Sequence, residues 1–275
     1  MCEFCHKHGE GKKWYLQAKN YSEELLNDLS RVKFIEEFFS HPEKLEKGDR
    51  DAAKLLTAPE KARKVIGKMI TRGAMRDHFG QVVPIEDIEE ILKLSTSIVR
   101  LECICRKTTV GPEQRFCYGL SLAPGGGKLA EIINKIDPHY LNGPENRGLE
   151  ILSKEEALKA FRDYENKGLC HTIWTFRAPF IGGICNCNAK DCYAMRMTVG
   201  VKVPVMFKSE FIAGVDESAC TGCKKCVRLC QFNAINFDSS KKKITINRDE
   251  CYGCGICRSV CEKNAICLAA KATGA

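Results

Sequence analysis

The sequence predicts an α+β chain in three segments. A helical N-terminal part covers residues 1–97, a cysteine-rich α/β segment covers 98–208, and a C-terminal βαββαβ unit covers 209–275. Three observations carry this. Leu25, Leu26, Leu29, Val32, Ile35, Phe38 and Phe39 recur at spacings of three and four, as on one face of a helix. From Ile98 the pattern changes to alternation, with Val99, Leu101 and Cys103 separated by other residues, as in a strand. Near the C-terminus, CTGCKKCVRLCQFNAINF is repeated as CYGCGICRSVCEKNAICL, each half reading as loop, short helix and strand.

The elements follow in order. The first helix ends at His41-Pro42, since proline disfavours helix in the residue before it. A second runs from Pro59 to about Phe79. A third follows Pro84, with Ile85, Ile88, Ile91 and Leu92 on one face. All three stripes read as core. The Pro124-Gly125-Gly126-Gly127-Lys128 run looks like a phosphate loop but lacks its pattern, since Leu122 stands at the first glycine position and Leu129 at the Ser/Thr position. Ser153-Lys154-Glu155-Glu156 is a capping box opening a helix that stops at Lys167-Gly168. An apolar stretch from Leu169 to Phe180 and a strand-like segment from Thr198 to Phe207 lead to the C-terminal unit. There Phe211 to Val215, Ile235 to Phe237 and Ile244 to Ile246 read as strands.

Eighteen cysteines are far above ordinary usage. Disulfides need an oxidising compartment, and MCEFCHKHGEGKKWY contains no apolar run of the kind that forms an export signal. The thiols are therefore expected to be cytoplasmic, reduced and metal-bound. No stretch reads as a membrane span. The net charge of +8 is spread over scattered lysines and arginines, and no nucleic-acid motif accompanies them, so a nucleic-acid partner is not expected. No dinucleotide fingerprint is present, so a flavin or nicotinamide would sit on a partner.

Cys220, Cys223, Cys226 and Cys230 read C-x2-C-x2-C-x3-C, and Cys251, Cys254, Cys257 and Cys261 repeat the run. Zinc ribbons lack its third and fourth cysteines, which favours iron–sulfur over two zinc sites or disulfides. Over about residues 209–268 the chain resembles the bacterial-type 2[4Fe-4S] ferredoxin family. That resemblance implies a pseudo-twofold fold and two 4Fe-4S clusters passing single electrons at low potential. Cys220, Cys223, Cys226 and Cys261 would hold one, and Cys251, Cys254, Cys257 and Cys230 the other. With about −2 on each, the chain comes to about +4. The family usually has proline after the fourth cysteine of each run; here stand Gln231 and Glu262. Glu262 is expected to lower the potential of the cluster ligated by Cys261. Cys267, in the last strand, reads as a buried apolar residue.

Seven cysteines lie in the middle segment. Cys103-Ile104-Cys105, Cys117, Cys185-Asn186-Cys187 and Cys192 supply candidates for a third 4Fe-4S cluster or a zinc site, with His171 as a ligand or a donor to one. Cys170 completes the seven. GLCH followed by ICNC also resembles a domain of uncharacterised anaerobe ferredoxin-like proteins, without chemistry to transfer. At the N-terminus, Cys2-Glu3-Phe4-Cys5-His6 has the form of a c-type haem attachment site, but without an export signal Cys2 and Cys5 are expected to ligate a metal, completed by His6, His8 or other cysteines. The expected function is electron transfer to or from a larger oxidoreductase. The alternative is an oxidoreductase reducing a substrate at the middle metal site, assisted by His171 or Arg177 and fed by the C-terminal unit; the catalytic residues are otherwise unassigned.

Overall fold

The computed structural model describes residues 12–111, 114–136 and 150–271. Cys2, Cys5, His6 and His8 lie outside them. The helices are α1 (Leu29–Ser40), α2 (Pro42–Thr57), α3 (Glu60–Asp77), α4 (Ile85–Leu94), α5 (Ile104–Thr109), α6 (Gly127–Ile136), α7 (Lys154–Asn166), α8 (Tyr193–Met195), α9 (Lys225–Leu229) and α10 (Ile256–Ser259). The strands are β1 (Gly80–Val82), β2 (Ser97–Leu101), β3 (Cys117–Ser121), β4 (Glu150–Leu152), β5 (Cys170–Thr175), β6 (Ile181–Cys187), β7 (Met206–Phe207), β8 (Phe211–Val215), β9 (Ile235–Asp238), β10 (Lys243–Ile246) and β11 (Ile266–Ala270). The fold is α+β, with a small unit at the C-terminus.

Seven strands form one sheet in the order β4-β2-β3-β6-β5-β1-β7, and β1, from the stretch expected to be helical, is a member of it. Every neighbouring pair is antiparallel except β1 and β7. Because side chains alternate along a strand, β5 divides its residues between two cores. Ile173 packs with Ile88, Ile91, Tyr118, Phe161 and Ile184, beneath α4 and α7. Cys170 and Trp174 face the other way, into a core of Cys187, Cys192, Met195, Val203, Phe232 and Ile256.

Local chemistry accounts for several helix starts. Asp28 caps α1 by accepting from the Ser30 N–H at 2.9 Å. Pro42 occupies the first turn of α2, where its missing N–H costs no bond. The capping box of α7 is complete: Ser153 Oγ accepts from the Glu156 N–H at 3.1 Å, and Glu156 accepts from the Ser153 N–H at 2.9 Å. The glycine run before α6 meets a carboxylate of the chain itself. Glu23 Oε1 accepts from the Lys128 N–H at 3.0 Å and from Ser121 Oγ at 2.8 Å. A Cβ on Gly127 would come within 1.7 Å of that oxygen. An internal anion thus takes the place a phosphate would need.

The segment from Thr198 to Phe207 differs from the expected strand. Arg196–Gly200 is a turn of π-helix following α8, and only Met206–Phe207 is extended. Its apolar residues Met197, Val201, Val203 and Val205 pack into the sulfur-containing core, so burial rather than strand pairing explains the apolar run.

The C-terminal unit has two hairpin-like pairs, β8 with β11 and β9 with β10. It is fused to the rest rather than tethered. Arg258 of α10 grips Glu86 of α4 through two hydrogen bonds, 2.7 and 2.9 Å. Phe232 stacks on Tyr252 with ring centroids 4.1 Å apart, and Phe232 belongs to the core it shares with Cys170 and Trp174. Cys267 is exposed, not buried as expected, because it follows inward-facing Ile266 on a strand with one open face.

Candidate metal centres

In the C-terminal unit the two cysteine runs cross over. Cys230, from the first run, lies beside Cys254 and Cys251 of the second, while Cys261, from the second, lies beside Cys226 of the first. Gly222, Gly253 and Gly255 have positive φ, and a Cβ on Gly222 or Gly253 would come within 2.1 Å of a backbone carbonyl oxygen. Only glycine allows those loops to turn so tightly. Cys230, Cys251, Cys254 and Cys257 line a small cavity of about 20 Å³. Backbone N–H groups of Ala234 and Ala265 donate to the sulfurs of Cys230 and Cys261, each at 3.3 Å. Such donors favour thiolate, the form that ligates iron. The donor set and its N–H bonds fit an iron–sulfur cluster on each side.

The two residues that replace the family's prolines do different things. Gln231 ties the unit to the middle segment: its Oε1 accepts from the Ala189 N–H and its Nε2 donates to the Gly168 carbonyl, both at 2.9 Å. Glu262 is 76% exposed and paired with Lys225. Its charge is therefore offset and screened. Glu262→Gln is expected to raise the potential of the Cys261-ligated cluster only slightly, and Lys225→Gln to lower it slightly, as read by spectroelectrochemistry.

The middle segment gathers six of its seven thiols by register and by loop. Cys117 stands opposite Cys185 across β3 and β6, and Cys187 stands opposite Cys170 across β6 and β5. Cys103 and Cys105 arrive at the start of α5, and Cys192 precedes α8. Cys117 Sγ lies 3.2 Å from Cys103 and 3.1 Å from Cys185. Cys192 lies 3.3 Å from Cys187 and beside Cys105. Cys103, Cys105, Cys117, Cys185, Cys187 and Cys192 thus form one cluster of two trios, all free thiols.

Its electrostatics suit a bound anionic cluster. Burial first, then Cys117, raises the Cys103 pKa well above the ordinary thiol range. The hydrogen bond between Cys185 and Cys117 lowers the Cys185 pKa, but burial and neighbouring sulfurs outweigh it and push it up to about 12. Thiols in such surroundings become thiolates when a metal supplies positive charge. Beside them sits Arg106, 3% exposed, with Nη1 3.8 Å from Cys103 Sγ and the guanidinium 4.2 Å from the Phe116 ring. Burial would lower its pKa, yet Cys187, Cys103, Cys117 and Cys192 raise it on balance. Its Nη2 is buried without a hydrogen-bond partner. A buried cation with an unmet donor asks for an anion, and a thiolate-ligated iron–sulfur core carries about −2. Among the described residues no three Cys, His, Asp or Glu side chains are grouped as ligands of a single metal ion.

His171 is not part of this cluster. It points to the opposite face of β5, where Nδ1 meets Asn186 Oδ1 at 2.6 Å and the ring sits edge-on to Phe161. Burial lowers its pKa to about 4. Period-two alternation puts it out of reach once Cys170 faces the thiols. Arg177 is held elsewhere, with φ of 53°, near Asp77 and Phe34.

Cys170 matters more than the sequence spacing suggests. Its Sγ donates to the His171 carbonyl oxygen at 3.7 Å and lies beside Cys254, whose pKa this neighbour lowers more than any other influence. Cys170 thus stands between the C-terminal unit and the six-thiol cluster. The only prior signal is Cys170-x-Thr172-x-Trp174, whose alternation places a thiol on the same face as Trp174.

No helix among the described residues is long and apolar enough to cross a membrane. No curated protein matches the sequence. Residues 213–268, about a fifth of the chain, match the family model of the 4Fe-4S dicluster domain. With paired cysteine runs, crossed sulfurs and N–H groups aimed at them, the C-terminal unit of this chain belongs to the ferredoxin-type 4Fe-4S family and serves iron–sulfur electron transfer.

Proposed function

We propose that the chain is an electron-transfer subunit with three iron–sulfur centres in series. The first cluster, on Cys220, Cys223, Cys226 and Cys261, receives electrons from or passes them to a partner oxidoreductase. Its Cys223 is exposed, and Lys224 stands beside it, which suits an acidic partner surface. The second cluster, on Cys230, Cys251, Cys254 and Cys257, is packed against the middle segment. The third centre is a 4Fe-4S cluster on four of the six gathered thiols.

The observation that carries this reading is the contact of Cys170 with both sides. It lies beside Cys254 and pairs in register with Cys187. A thiol beside both units supports a path between them. A coulometric titration of anaerobic protein tests it. Three 4Fe-4S centres take up three electrons per chain, one each; two electrons per chain would remove the third centre.

A second reading, an oxidoreductase acting at the middle centre, is favoured by one observation. Cys105, Cys117, Cys185, Cys187 and Cys192 form part of the wall of a large cavity. In that reading the two C-terminal clusters feed electrons to a molecule held there.

A further inference from the structure

Between α1, α3 and the sheet lies a cavity of about 360 Å³, within the range of about 300–1,000 Å³ typical of small-molecule sites. Its wall carries sulfur and a set of rings: Phe34, Phe38 and Phe39 from α1, His78 just after α3, Trp174 from β5 and Phe176 just after it. These rings are ordered against one another. His78 stacks on Trp174 with centroids 4.8 Å apart, Phe39 stacks on Phe176 at 5.9 Å, and Phe38 meets Phe176 edge-on at 5.5 Å.

Glycine keeps the space open in two ways. A Cβ on Gly182 would come within 2.6 Å of the Phe176 ring, so glycine there lets that ring take its place. Gly73, on α3, borders the cavity, and a Cβ there would meet nothing within 4 Å. A glycine inside a helix costs stability relative to alanine. Here it leaves room that a side chain would fill.

Polar character is sparse and has a definite sign. His78 donates its Nδ1–H to the Thr175 carbonyl oxygen at 2.7 Å, because a carbonyl only accepts. That bond makes Nε2 the acceptor of the ring. Burial lowers the His78 pKa to about 4, so the ring is neutral near pH 7. Asp77 and Glu102 also border the cavity, but each has its own cation, Asp77 with Arg76 and Arg177 and Glu102 with Lys107; an anionic guest is disfavoured because the apolar walls would strip its hydration and His78 Nε2 offers it no donor.

We propose that this cavity binds an uncharged, flat, ring-bearing molecule with a hydroxyl group, its rings among the aromatic walls and its hydroxyl donating to His78. The inference rests on the second reading above only in placing the guest against the thiol centre; binding itself needs no metal.

The probe is 2-naphthol, titrated calorimetrically into the full anaerobic chain. One molecule is expected to bind per chain. Gly73→Phe, which fills the space from a helical position where a Cβ meets nothing within 4 Å, is expected to weaken binding at least tenfold while circular dichroism and iron content stay unchanged. Gly73→Leu, a smaller filler, gives the same direction with a smaller loss should the phenylalanine variant not fold. The anion naphthalene-2-carboxylate is expected to bind at least tenfold more weakly than 2-naphthol. His78→Phe is expected to erase the preference for 2-naphthol over naphthalene. No binding of 2-naphthol, binding untouched by either Gly73 variant, or equal binding of the carboxylate overturns the proposal. Iron is counted on the same samples: binding with about eight irons per chain upholds the cavity and removes the third centre, and about twelve irons without binding does the reverse.

Discussion

Replacing Cys170 by alanine is expected to lower the potential of the cluster assigned to Cys230, Cys251, Cys254 and Cys257 by an amount on the order of 50 mV. Burial first, and then its neighbour Cys254, hold the Cys170 pKa well above the ordinary thiol range, so the group remains S–H; it donates to the His171 carbonyl, and a turn about Cβ–Sγ brings it to Cys254 once that sulfur is a ligand thiolate. A donor to a ligand sulfur stabilises the more negative, reduced cluster more than the oxidised one. A hydrogen bond to a charged acceptor contributes about 1.5–3 kcal/mol. If about 1 kcal/mol of that differs between the oxidation states, the one-electron scale of about 59 mV per tenfold change gives the stated size. Cys170→Ser keeps a donor at the same place and is expected to restore the potential. A purely structural role for Cys170 would make both variants lose iron or leave both potentials unchanged. EPR-monitored redox titration of the two variants separates these outcomes.

The second large effect concerns the six-thiol cluster. Cys105→Ser, Cys187→Ser and Cys192→Ser combined remove one whole trio and leave Cys103, Cys117 and Cys185. Three thiols are one fewer than a 4Fe-4S cluster requires. The triple variant is expected to lose about four irons and four sulfides per chain, with the signals of the two C-terminal clusters retained. A single substitution is a weaker test, because six thiols leave five candidates for four positions. Loss of zinc in place of iron would turn the middle centre into a structural site. Arg106 makes a related point: its buried guanidinium loses its counter-charge in the triple variant, so a drop in thermal stability should accompany the loss of metal.

How far the sequence alone reaches is clearest at particular residues. The cysteine spacing of the C-terminal unit carries its own geometry, since ligands within one loop are local and glycine marks the tight turns. The stripe of Ile85, Ile88, Ile91 and Leu92 and the Ser153 capping box are local for the same reason, and all lie where spacing puts them. Helix α2 is hidden by composition: half of PEKLEKGDRDAAKLLT is charged, and its buried residues are only Ala52 and Leu55. The six thiols are spread over ninety residues of sequence, and only strand register brings Cys117 opposite Cys185. Register also decides that His171 faces away and Cys170 faces in. A one-residue step along a strand reverses a side chain's face, so neither could be assigned without knowing which side of β5 meets the thiols. The role of Gln231 is likewise tertiary, because its two partners, Gly168 and Ala189, come from the ends of α7 and β6.

The most direct measurement is the content of iron, acid-labile sulfide and zinc per chain in anaerobically purified wild-type protein. Three 4Fe-4S centres require about twelve irons, about twelve sulfides and no zinc. About eight irons, with zinc or no metal on the six thiols, would contradict the proposal.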